Sequence, residues 1–329
     1  NFTFSVRDSN NAYDAAPNTL TVDVTAVNDA PVLGDTALTL TVAEDAGLPS
    51  GAVGSLISAF TGGMTDVDSG AANGIAITGT DETNGTWYYT TNGGTTWTAL
   101  GAVSEASARL LAADANTRLY FQPSASYNGT SANAITFCAW DQTSGTNGGT
   151  AVLSQTVRDQ FSTVSYSNND GTASWSTGWT ENETGGASGG AFLVSGGGLD
   201  LQAVGGGKYV RRQVDLSGAT SATLSFDFTN SLGSGDTFKI QIFDGSTYTD
   251  LGTFSTTSNT GSGTFTQDVS AFVGQSIWVN FYLPSSSASG HLYVDNVQVQ
   301  YTDGVGGTTA FSSVTDTIDV SVTAVNDAP

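Results

Sequence analysis

The sequence repeats one of its own motifs, and the two copies carry very different spacings. The run Val24-Thr25-Ala26-Val27-Asn28-Asp29-Ala30-Pro31 recurs as Val322-Thr323-Ala324-Val325-Asn326-Asp327-Ala328-Pro329. The segments ahead of it also match, Leu20-Thr21-Val22-Asp23-Val24 against Ile318-Asp319-Val320-Ser321-Val322. Both read as strands closed by a proline, which cannot extend a ladder. Further upstream, Phe2-Thr3-Phe4-Ser5-Val6-Arg7-Asp8 matches Ile135-Thr136-Phe137-Cys138-Ala139-Trp140-Asp141. In the first copy Asp8 precedes Asn28 by 20 residues; in the second Asp141 precedes Asn326 by 185. The second copy thus holds 165 extra residues, 185 minus 20, between two strands that the repeat pairs as a hairpin. An exposed hairpin loop accepts a domain-sized insertion because its ends stay close.

This arithmetic sets the expected organisation. Residues 32–157 and 309–329 form a split host domain, and 158–302 form an inserted one. Residues 1–31 read as the last two strands of a preceding repeat, so the chain reads as a segment of something longer. Its 329 residues allow two or three domains.

The local pattern is that of strands. Leu38-Thr39-Leu40-Thr41-Val42, Thr86-Trp87-Tyr88-Tyr89 and Arg118-Leu119-Tyr120-Phe121 lie in the host, separated by turns such as Asn92-Gly93-Gly94. In the insert, Ala222–Phe228, Phe238–Ile242, Ile277–Leu283 and Leu292–Val299 alternate with period two. The expected fold class is all-β: tandem β-sandwiches, an immunoglobulin-like host with an inserted jelly-roll sandwich.

Charge narrows the partners. Thirty acidic residues against eight Lys plus Arg give a net charge of −22. Such a surface repels nucleic acid and anionic membrane, and no run of ~20 apolar residues suggests a spanning segment. The carboxylates would repel one another unless cations neutralise them, and calcium prefers oxygen ligands. The lone Cys138, in the apolar run Ile135–Trp140, is expected to be a buried structural thiol. An enzyme finds little support: His291 is the only histidine, no nucleophile elbow accompanies it, and Gly196–Gly198 and Gly205–Gly207 read as turns rather than a phosphate loop.

The repeated Val-Asn-Asp-Ala-Pro resembles the calcium-binding linker of cadherin and cadherin-like repeats, and tandem repeats of this kind resemble the extenders of large bacterial RTX adhesins. The resemblance covers 1–157 and 309–329. It implies a Ca2+ site in which Asn28 and Asp29 meet Glu44, Asp45, Asp66, Asp68 or Asp141, with Asp327 repeating the role at the far end. The insert is similar to jelly-roll carbohydrate-binding modules and their MAM-like relatives, through Tyr166-Ser167-Asn168-Asn169-Asp170-Gly171 and Tyr293-Val294-Asp295-Asn296-Val297. That likeness implies a structural Ca2+ held by Asn169, Asp170, Glu181 and Asp295.

Sugar sites in β-sandwiches combine aromatic faces with polar side chains. The candidates are Trp175, Trp179, Asp200, Tyr209, Asp244 and Tyr248. The family reading is thus a monomeric, calcium-stiffened segment of an extracellular bacterial surface adhesin, whose insert binds cell-surface polysaccharide without catalysis or membrane insertion. The competing reading is a purely structural or protein-binding extender.

Overall fold

Along Ser276–Ser285 the residues Ile277, Val279, Phe281 and Leu283 are buried, while Trp278 and Tyr282 between them are only half-buried. The pleat sends alternate side chains to opposite faces. Repeated over many strands, this pattern leaves one face of each sheet apolar, and sandwiches follow. In the computed structural model, which describes residues 1–286 and 290–326, the chain is all-β apart from three short 3-10 turns.

Two sandwiches are present. The first pairs a six-stranded sheet with a four-stranded one. The larger sheet runs Thr150–Ala151, Ala108–Ala112, Gly74–Thr80, Gly129–Trp140, Phe311–Thr323, Leu38–Ala43, its last pair parallel. The smaller runs Ser55–Leu56, Arg118–Pro123, Gly85–Thr90, Thr98–Ala99. Their shared core includes Ile75, Trp87, Phe121, Phe137 and Val320.

The second sandwich has a sheet ordered Phe192–Ser195, Gly198–Gln202, His291–Thr302, Ser221–Asn230, Gly261–Asp268, with Ser154–Asp159 also pairing His291–Thr302. Its other sheet runs Thr180–Glu181, Lys208–Asp215, Ser276–Ser285, Thr237–Phe243, Tyr248–Phe254. Phe192, Phe226, Phe238, Phe254 and Phe281 fill the space between.

The repeat is visible in register. Phe2 stands opposite Leu20, Thr3 opposite Thr19 and Phe4 opposite Asn18. Their counterparts pair identically: Ile135 with Ile318, Thr136 with Thr317, Phe137 with Asp316. The second pairing survives although the whole second sandwich lies between its strands. The first copy departs from expectation further along. Its strand ends at Leu20, and Val22, Val24 and Val27 are exposed. In the second copy the strand runs on to Thr323 because Gly129–Trp140 and Leu38–Ala43 flank it on both sides.

The chain passes between sandwiches through neighbouring segments. Ser154 pairs with Thr302 and Asp159 with Val297, so the second sandwich's first strand starts ahead of position 158. Gln155 Nε2 donates to Asp303 Oδ2 over 2.5 Å, and Gly304 N donates to Leu153 O over 3.3 Å. A small cluster of Trp140, Leu153, Val305 and Phe311 packs there with Cys138, which is buried as expected. Burial pushes its thiol up to about 12.

Candidate functional site

The outward face of the five-stranded sheet is unlike an ordinary solvated face. Strand alternation places Tyr209 and Arg211, then Trp278, Asn280 and Tyr282, then Lys239, Gln241 and Phe243 on one side. Register lines them up across the strands. Tyr209 faces Tyr282, which faces Lys239; Arg211 faces Asn280, which faces Gln241 and then Asp250. Trp278 faces Phe243, which faces Tyr248. Gly207, Tyr209, Gln241, Tyr248, Asn280 and Tyr282 line a cleft of about 380 Å³.

Polar side chains along its floor form a chain. Asn280 Nδ2 donates to Gln241 Oε1 over 2.9 Å, and Gln241 Nε2 donates to Asp250 Oδ1 over 2.6 Å. Lys239 closes it on Asp250 Oδ2 at 2.5 Å. These donors hold the Asp250 carboxyl below its ordinary range, Gln241 first and Lys239 second. Asn280 is 1% exposed, yet its Oδ1 has no partner. A buried acceptor left unmade costs about 1–3 kcal/mol, and this one belongs to a residue of the cleft wall.

The candidate sugar contacts divide on this geometry. Tyr209 and Tyr248 line the cleft. Trp175 and Trp179, 5% and 4% exposed, do not; they are core residues flanking a buried ion pair. Arg212 Nη1 meets Asp159 Oδ2 at 2.6 Å, and Trp179 Nε1 donates to the same oxygen over 2.9 Å. Burial raises Asp159 above its ordinary value and lowers Arg212 to about 10, against the attraction between them. Asp200 is buried in the opposite sheet, where its Oδ1 lies 2.8 Å from His291 Nδ1. Asp244 caps the turn between two strands, accepting from the backbone of Ser246 and Thr247. Tyr282, Asn280 and Gln241 were not anticipated, although the alternation of Ile277–Leu283 marks the first two as opposite the core face.

The linker acids form two groups. At one end Asn28 Nδ2 donates to Asp141 Oδ2 over 2.9 Å and to Thr309 O over 3.1 Å. Asp29 N donates to Asp68 Oδ2 over 2.8 Å, and Asp68 N to Asp66 Oδ1 over 2.8 Å. Asp66 Oδ2 is buried without a partner. Glu44 does not join this group. It accepts from Asn128 Nδ2 and from Val325 N, each over 3.1 Å, so it meets the second linker instead. The cause is the parallel pairing of Leu38–Ala43 with Phe311–Thr323, which carries both strands to the same end. Asp45, exposed in the following turn, goes with it. Asp327 lies outside the described residues.

In the second sandwich Asp170 and Asp295 do come near one another, together with Asp227. Burial first, then the charges of Asp227 and Asp170, raises the Asp295 carboxyl. A register shift opposite Asn296, whose φ is 50°, lets its Nδ2 reach Asp227 Oδ2 at 2.8 Å. Asn169 and Glu181 are engaged elsewhere. Asn169 Oδ1 accepts from Trp175 N over 2.9 Å, and Glu181 Oε2 accepts from Tyr166 Oη over 2.9 Å in the other sheet. Among the described residues no three His, Cys, Asp or Glu side chains converge on a point. The linker nonetheless supplies the carboxylate, amide and carbonyl oxygens that calcium takes, and the unpartnered Asp66 oxygen fits such a site.

No protein-family profile and no curated protein matches the sequence. Among solved structures it is similar to a xylan-binding module, CBM15, at 16% identity and a TM-score of 0.30, covering 39% of this chain and 94% of that one. A CBM4 structure follows at 16% identity and 0.28, over 38% and 87%. A family 11 carbohydrate-binding module from Clostridium thermocellum, in complex with a β-1,3-1,4-mixed-linked tetrasaccharide, gives 16% and 0.26, over 44% and 95%.

Proposed function

We propose that the protein binds a glycan, without catalysis, in the cleft lined by Tyr209, Tyr248 and Tyr282. The observation that carries this reading is the partnerless Oδ1 of buried Asn280, set between aromatic rings on an outward sheet face. Aromatic rings stack on the apolar faces of sugars, and a fixed amide acceptor takes a hydroxyl. A solvated structural sheet would gain nothing from burying that oxygen. The test is a glycan-array screen of the folded chain. Binding to a defined set of sugars supports the reading; a folded sample that binds none removes it and favours a structural or protein-binding extender.

The split arrangement suits display. The chain enters the second sandwich along Ser154–Asp159 and leaves it along His291–Thr302, two strands that pair with one another, which favours a module carried by the first sandwich. On this reading the first sandwich and its linkers form a calcium-stiffened extender of an extracellular bacterial adhesin. Asn28, Asp29, Asp66, Asp68 and Asp141 would hold the ion, and the ion would fix the angle at the linker.

A further inference from the structure

Beside the cleft, on the same sheet face, stands a cation that the chain's many acids leave alone. Lys208 pairs with Glu183 at 3.1 Å, Lys239 with Asp250 at 2.5 Å and Arg212 with Asp159 at 2.6 Å. Arg211, on the same sheet, has no carboxylate in ion-pair range among the described residues. Aromatic rings surround it instead. Its Cζ lies 4.5 Å from the ring centre of Trp278, 5.1 Å from Tyr209 and 5.6 Å from Phe243. Nη1 donates to Tyr248 Oη over 3.2 Å, and Nε is buried without a partner. A guanidinium held among rings keeps its charge and its fork geometry, and both suit a carboxylate.

Arg211 stands directly across from Asn280 in the register, and its hydrogen-bond partner Tyr248 lines the cleft. One row of the sheet therefore offers an unpaired cation beside an unpaired acceptor. A sugar that carries both a carboxylate and a hydroxyl answers the two together. The net charge of −22 sets the limit on such a ligand. A dense polyanion meets repulsion from the whole surface. An isolated carboxylate on a neutral chain meets Arg211 and the Lys239–Asp250 pair, whose charges offset one another, because charges beyond about 8 Å are screened at physiological salt.

We infer that the cleft takes a glycan bearing scattered uronic acid residues, with Arg211 reading the carboxylate. This rests on the glycan-binding reading above and deepens it. The test is calorimetric titration of the full chain with glucuronoxylan, whose carboxylates are isolated, and with the same polymer after reduction of its carboxyls to hydroxymethyl groups. The expected result is binding on the order of tenfold tighter to the unreduced polymer, the scale of one hydrogen bond to a charged group. Arg211→Gln should bind the two polymers equally, while Arg211→Lys should keep part of the preference; melting curves establish that both variants fold. Equal binding of both polymers by the unaltered protein overturns the uronate inference and leaves glycan binding standing. Binding of neither polymer, nor of any glycan on the array, overturns glycan binding and the inference together.

Discussion

Asn280 donates its amide to Gln241 over 2.9 Å and keeps its own oxygen without a partner. Removing that oxygen should separate binding from stability. Asn280→Leu deletes one buried unpaired acceptor, but by removing the Nδ2 donor it leaves Gln241 Oε1 without a partner instead, each worth about 1–3 kcal/mol. The two effects nearly offset. Denaturant unfolding should therefore move by no more than about 1 kcal/mol, while glycan affinity falls at least tenfold, about 1.4 kcal/mol. Equal loss of both would mean that Asn280 is a structural residue only.

The ion pair of Arg212 and Asp159 should behave in the opposite way. Asp159→Ala strands a buried guanidinium and also releases Trp179 Nε1 and Phe161 N. A cost of about 3–5 kcal/mol is expected. Trp179→Ala should also cost about 3–5 kcal/mol, as an emptied core site. Chemical denaturation of the two variants measures this, and unchanged stability would refute the assignment of Trp179 to the core.

Much of the organisation was legible because the repeat fixed which strands pair. The match of Ile135 with Phe2 and of Ile318 with Leu20 became identical register. The site was legible only in part. Tyr209 and Tyr248, two of the candidate aromatics, line the cleft. Trp175 and Trp179 looked the same in sequence, since nothing local distinguishes a core indole from a surface one. The informative signal was Arg212 between inward-facing Val210 and Val214, because a charge at a core position calls for a buried partner. Glu44 was assigned to the wrong linker because the parallel pairing of its strand is a long-range feature with no local mark.

Asp303 lies at the crossing between the sandwiches, and burial raises its carboxyl above the ordinary value. A raised carboxyl favours the folded state while it is protonated, below the unfolded value of about 3.9. That contribution is lost as pH rises through the folded value. Asp303→Asn keeps an acceptor for Gln155 and removes the charge. It should raise the melting temperature at pH 7, and the gain should shrink toward pH 3. A gain that persists unchanged at pH 3 would count against burial as the cause.

Calcium should stabilise the linker acids. An ion that binds only the folded chain adds about 2.7 kcal/mol at a hundredfold excess over its Kd. The melting temperature should drop with EDTA, and Asp66→Asn should narrow the difference. Identical melts with and without chelator would remove the calcium-stiffened extender from the account.

The most direct measurement is the affinity of Tyr209→Ala and Tyr282→Ala for whichever glycan binds best on the array, by calorimetry and alongside Tyr301→Ala in the opposite sheet. Facing aromatics in the cleft should each contribute about 1–2 kcal/mol, so both cleft variants should weaken binding roughly five- to thirtyfold while their melting temperatures stay near the parent's. Tyr301→Ala should bind normally. Undiminished binding by both cleft variants would place the ligand elsewhere and contradict the site.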